Sequence, residues 1–152
     1  MLHASDQAAG LRRLFRRTPS AVVALFASGR APRALALQAL VALTEGARRV
    51  VVLDEHASHE GSLLSAFGIP EASDLLGALQ GPRDVTESMR EVADGLWVVP
   101  AAATVHAVSL LDDVHHARLE AGITELQRRA DLLAIHAVGD ARRLTPFARA
   151  AG

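Results

Sequence analysis

Apolar residues in this chain fall into two kinds of run, and the two kinds alternate. Ala21-Val22-Val23-Ala24-Leu25-Phe26 is apolar at every position, which predicts a strand over 21–27 that is covered on both faces. Arg49 to Asp54, Gly95 to Pro100 and Asp131 to His136 repeat that pattern. Between them the spacing turns helical. A helix is predicted from about Pro32 to Glu45, with the proline tolerated in its first turn. Shorter helical pieces follow at Ser62 to Phe67, Ser73 to Gln80 and Val85 to Val92, divided by Gly-Ile-Pro and Gly-Pro. A long helix should fill Val105 to Ala130, and a last one about Arg142 to Ala150.

Ahead of the first strand, Ser5 is a good N-cap, and Ala8, Leu11, Leu14 and Phe15 recur at helical spacing. Arg12, Arg13, Arg16 and Arg17 crowd the far end, where the helix dipole favours cations, and Pro19 marks the stop. Residues 1–19 are thus expected to form an amphipathic helix and residues 20–152 a single domain. Strands apolar on both faces that alternate with helices imply a three-layer α/β/α fold with a mainly parallel sheet. Ligands of such sheets bind beyond the carboxyl ends of the strands. That points to residues 28–33, 54–59, 100–104 and 136–140.

Composition narrows the classes. With 152 residues, half of them apolar but only 3% aromatic, the core must be built mainly from Ala, Leu and Val. A net charge of −1 argues against non-specific nucleic-acid binding. The absence of cysteine excludes disulfides, thiol catalysis and Cys-ligated zinc. No basic stretch leading into an apolar one opens the chain, and no apolar run approaches the ~20 residues of a membrane span. A cytoplasmic location is the expectation.

The first strand, a short turn and a helix form the setting of a nucleotide-binding P-loop, whose signature is G-x-x-x-x-G-K-[ST]. The turn here reads Ser28-Gly29-Arg30-Ala31-Pro32-Arg33-Ala34-Leu35-Ala36. Taken in order, the segments resemble the N-terminal half of MinD/ParA-type ATPases, and more narrowly the FlhG (FleN) regulators of flagellar number. Asp6-Gln7-Ala8-Ala9-Gly10-Leu11-Arg12 is similar to the D-Q-A-x-x-L-R motif of that group. Arg49 to Asp54 resembles its R-V-L-L-L-D strand, Asp74 to Gly81 and Gly95 to Ala101 resemble two later segments, and Ala130 to Ile135 stands where a Walker B strand would be. The resemblance implies a shortened P-loop-NTPase-like domain.

The departures from that pattern decide the expected chemistry. Against the family loop S-G-K-G-G-V-G-K-[TS], Arg30 replaces the first lysine, Leu35 the phosphate lysine and Ala36 the magnesium-binding hydroxyl. Leu35 brings no charge to a phosphate, and Ala36 cannot coordinate a metal. Ala31, Pro32 and Ala34 replace glycines that let the loop wrap the phosphates. Asp54 keeps the switch carboxylate, but His56 stands at the second one and His136 at the Walker B carboxylate. Ser28, Gly29, Arg30, Leu35, Ala36, Asp54, His56 and His136 are therefore read as a vestigial site that holds no cofactor.

The expectation is a non-catalytic, protein-binding regulator, a pseudo-ATPase in which any oligomer forms without nucleotide. The resemblance implies an FlhF-type GTPase as partner, engaged through Asp6, Gln7, Ala8, Leu11, Arg12 and Leu14. Two alternatives stay open: a metal-dependent enzyme rebuilt at the strand ends around Asp54, His56 and His136, or a nucleotide binder without hydrolysis. His56, His59, His115, His116 and His136, with Asp54, Glu55 and Glu60 nearby, raise the metal question. No fixed-spacing motif such as H-E-x-x-H supports it, and His115 and His116 are adjacent on a helix, so no metal is expected. The serines at 20, 28, 58 and 62 form no G-x-S-x-G elbow. Asp112 and Asp113 read as a solvated face of the long helix, and Trp97 reads as core.

Overall fold

The computed structural model describes residues 21–26, 32–46, 49–57, 61–70, 73–139, 142, 145 and 147. The helices expected over residues 1–19 and most of 142–150 lie outside these residues. Among the described residues five strands form one sheet in the order β1-β5-β2-β4-β3. They are β1 (Ala21–Leu25), β2 (Val50–Asp54), β3 (Arg90–Ala93), β4 (Leu96–Pro100) and β5 (Leu132–His136). Strands β1, β5, β2 and β4 run parallel, and β3 pairs antiparallel with β4. Helices α1 (Pro32–Gly46), α2 (Leu63–Ala66), α3 (Leu75–Gln80), α4 (Ala102–Ala107) and α5 (Asp113–Arg129) complete the description.

The three-layer arrangement follows from the alternation of side chains along each strand. Val51, Leu53, Val99, Leu133 and Ile135 face Leu75 and Leu79 of α3, Leu119 and Leu126 of α5, and Phe147. Val50, Val52, Leu96, Val98, Leu132 and Ala134 face Leu40 of α1 with Leu63 and Leu64 of α2. A continuous apolar run is what a strand needs when both faces are covered, and β2 and β5 are buried at every position.

Two sequence expectations are corrected. Val85 to Val92 is not helical: Val85–Ser88 makes one turn of 3-10 helix, and Arg90–Ala93 is strand β3. The cause is the hairpin closed by Asp94 and Gly95, where Gly95 takes φ +76°, a conformation that glycine adopts freely and other residues rarely do. The sheet thereby gains a fifth, antiparallel strand. Nor is Val105 to Ala130 one helix. Helix α4 ends at Ala107, Val108–Leu110 is 3-10, and Leu111 is extended before α5 starts. Asp112 drives the restart, accepting a hydrogen bond from His115 N at 2.8 Å as the N-cap. It is a cap and not part of a helix face. Trp97 is only half-buried, packed against the core from β4. Among the described residues no helix is long and apolar enough to cross a membrane.

Candidate functional site

Parallel register brings the ends of four strands into one row. Leu25 aligns with His136, His136 with Asp54, and Asp54 with Pro100. Three of the sequence-predicted residues, Asp54, His56 and His136, therefore meet. Asp54 and His136 are buried, 2% and 0% exposed. His136 Nδ1 donates to Asp54 Oδ1 at 2.9 Å, His56 N donates to the same oxygen at 3.2 Å, and Leu63 N donates to Oδ2 at 2.8 Å. Leu63 opens α2, so the carboxylate also anchors the first turn of that helix.

The rings of His56 and His136 are stacked, with centroids 4.0 Å apart and planes inclined by 21°. His56 Nε2 lies 3.2 Å from the Ala137 carbonyl. A carbonyl can only accept, so Nε2 carries the proton. Burial pushes the His56 pKa below the ordinary imidazole value; His136 adds to the depression, and Asp54 with the Ala137 bond opposes it. His136 Nε2 is buried and has no hydrogen-bond partner among the described residues.

Glu55 turns to the other side of the β2 end. Only 1% exposed, it accepts from Thr145 Oγ1 at 2.7 Å and from Val138 N at 3.0 Å. Burial raises its pKa above the ordinary carboxylate value, while those two hydrogen bonds act against the rise. Glu55 thus ties β2 to the segment that follows β5.

A second carboxylate was read from sequence only as part of a family-like segment. Asp74 caps α3 through Leu76 N at 2.9 Å. It also accepts from Ala103 N at 2.9 Å, Thr104 N at 3.2 Å and Thr104 Oγ1 at 2.6 Å. One side chain therefore satisfies the free N–H groups at the start of two helices. Between Asp74 and His56 lies a cleft of about 500 Å³, also lined by Ser62, Ser65, Ile69 and Pro100.

Elsewhere the expected site residues are separated. Helix α1 already begins at Pro32, so positions 32–36 are regular helix where a P-loop would still be wrapping phosphates. Leu35 is 51% exposed and Ala36 is buried. Ser28, Gly29 and Arg30 lie outside the described residues, as do Asp6, Gln7, Ala8, Leu11, Arg12 and Leu14 of the arm, and His59. His115 sits on α5, bound to its cap Asp112. Among the described residues no three His, Asp or Glu side chains are placed to hold a metal ion.

The sequence matches no family profile and no characterised protein. Solved structures do share its fold. Cobyrinic acid a,c-diamide synthase from Mycobacterium smegmatis superposes with a TM-score of 0.56 at 19% identity, covering 78% of this chain and 50% of that one. The same enzyme with a bound ATP analog and magnesium gives 0.58 at 19% identity over 79% and 51%. A plasmid partition protein from Borrelia burgdorferi gives 0.57 at 15% identity over 79% and 56%. The chain spans about half the length of these structures. Its fold is that of the MinD/ParA-like P-loop proteins. The narrower FlhG-type resemblance rests on sequence motifs alone.

Proposed function

We propose that this chain is a non-hydrolysing protein of MinD/ParA-like fold that works by binding another protein. The observation that carries the reading is the engagement of Asp54. Three of the roughly four acceptor positions of its carboxylate are taken by His136, His56 N and Leu63 N. The side chain facing it from β5 is an imidazole, where a magnesium-dependent ATPase needs a second carboxylate. Leu35 and Ala36 offer no charge and no oxygen from a regular helix. Loop, metal ligand and water-positioning residue have changed together.

The partner that the sequence resemblance favours is an FlhF-type GTPase in flagellar biosynthesis. Asp6, Gln7 and Arg12 would supply polar contacts and Ala8, Leu11 and Leu14 an apolar stripe for a groove. Calorimetry with Mg-ATP and Mg-ADP separates the readings: no binding is expected, and micromolar affinity overturns the proposal. Capture of an FlhF-type GTPase should weaken in the Gln7→Ala, Leu11→Ala double variant. Unchanged capture and unchanged GTP hydrolysis would remove the arm from the account.

The rebuilt-site alternative has one observation in its favour. His136 presents an unpartnered Nε2 while its Nδ1 is held by a carboxylate, the arrangement that orients metal-binding histidines. Among the described residues no three such side chains are placed to hold a metal ion, which is why binding without turnover is preferred.

A further inference from the structure

The connections that leave β2 and β4 part to opposite faces of the sheet. Strand β2 leads to α2, whose Leu63 and Leu64 pack in the core that contains Leu40. Its neighbour β4 leads to α4, whose Val105 packs in the other core, with Leu75 and Leu79. Where neighbouring parallel strands send their connections apart, a crevice is left beyond their carboxyl ends, and ligands of such sheets bind there. The cleft of about 500 Å³ between His56 and Asp74 is that crevice. Its volume suits a small organic molecule.

The described segments open and close elsewhere. Ala21 opens β1 at the other end of the parallel sheet. Phe147 packs on the β1 side, where it lines a small groove with Val22, and β5 stands between β1 and β2. The cleft is also separate from positions 32–36, which follow β1 at the start of α1.

The chemistry of its walls selects the ligand. Asp74 holds the only formal charge among the described lining residues, and that charge is negative. Its four hydrogen bonds come from neutral donors, Leu76 N, Ala103 N, Thr104 N and Thr104 Oγ1. No Lys or Arg stands among those lining residues to offset it. The same carboxylate occupies the starts of α3 and α4, so their N–H groups are not offered to a phosphate. His56 gives its Nε2 proton to the Ala137 carbonyl, which leaves Nδ1 as an acceptor, and burial disfavours its charged form. Ser62 stands at the N-cap of α2 without a side-chain cap bond, while Asp54 takes Leu63 N. Leu64, Ile69 and Pro100 supply apolar wall. One negative charge, acceptors and an apolar wall call for a cation that donates hydrogen bonds and carries an apolar body.

We propose that the cleft beyond β2 and β4 binds a small organic amine, with its ammonium group toward Asp74 and its apolar body along Leu64, Ile69 and Pro100. The site goes beyond the partner-binding reading and requires neither nucleotide nor a second protein.

The test is a titration of the intact, isotope-labelled chain with phenethylamine and isoamylamine, followed through its backbone amide signals. Hydrocinnamate and isocaproate carry the same bodies with the opposite charge. At least one amine should bind with a Kd below about 1 mM, the range open to ligands of this size. Its largest shifts should fall at residues 62–68 and 102–104. The carboxylates should bind at least about tenfold more weakly. Asp74→Asn keeps an acceptor for the starts of α3 and α4 and should cost the amine about tenfold in affinity. Ala103→Phe fills the cleft from an exposed position of α4 and should abolish the shifts. Whichever variant keeps the parent amide spectrum decides the matter. If neither amine shifts these residues, the cleft is closed or too shallow and the proposal is overturned. Equal binding of amines and carboxylates overturns it too, as do amine shifts that survive in Ala103→Phe. Neither Mg-ATP nor a GTPase enters the titration, so its failure leaves the non-hydrolysing reading to its own tests.

Discussion

Glu55 and His56 are neighbours in sequence whose pKa values are moved in opposite directions by one cause, the cost of holding charge away from water. Their effects on stability are correspondingly opposed. His56 is depressed from 6.5, so the unfolded chain takes up its proton first, and stability falls as pH drops below that value toward the folded pKa. Glu55 is raised from 4.5, so the unfolded chain releases its proton first. Stability then falls as pH rises past that value toward the folded pKa. Urea midpoints measured from about pH 4 to about pH 8 should resolve the two contributions. Glu55→Gln keeps an acceptor for Val138 N and should remove the loss on the rising side, while His56→Gln keeps a donor for Ala137 and should flatten the falling side. Unchanged profiles in both variants would show that neither group titrates differently on folding. Sequence made Asp54, His56 and His136 legible because each sits at or just beyond the end of an apolar run. It did not reveal that Thr145 meets Glu55, or that Thr104 meets Asp74, since those partners lie 90 and 30 residues apart and share no periodicity.

At the scale of elements, the packing of α5 against the 3-10 turn Val85–Ser88 depends on the absence of one side chain. A Cβ at Gly122 would stand 2.7 Å from Val85 Cγ1, and a β-branched valine has little freedom to turn away. Gly122→Ala gains about 1 kcal/mol in helix propensity but meets an overpacking cost of about 1–3 kcal/mol. A net loss of about 1 kcal/mol is expected. Val85→Ala in the same chain should relieve the clash, so the two effects will not add. Additive free energies in denaturant unfolding would mean that the contact carries no strain. The break before α5 and the strand β3 were both misjudged from sequence by trusting apolar spacing over punctuation. Asp112 followed by the acidic Asp113 is an N-cap pattern, and Asp94-Gly95 is a hairpin signal. Where punctuation and spacing agreed, at β2, α1 and β5, the elements lie within a residue or two of expectation.

For the molecule as a whole, protection against amide exchange should follow position in the sheet. Strand β2 is paired on both sides, with β4 and β5, and buried at every residue. Strand β5 is likewise flanked, by β1 and β2. Their amides open only with the whole domain and should exchange most slowly. Strand β3 holds one neighbour through an irregular register, so it should exchange well ahead of them. Among the described residues β1 pairs with β5 alone and none of its residues is buried, so its amides should also exchange ahead of those of β2 and β5. Equal exchange rates across all five strands would mean that the sheet opens as one unit, whatever the position of a strand within it.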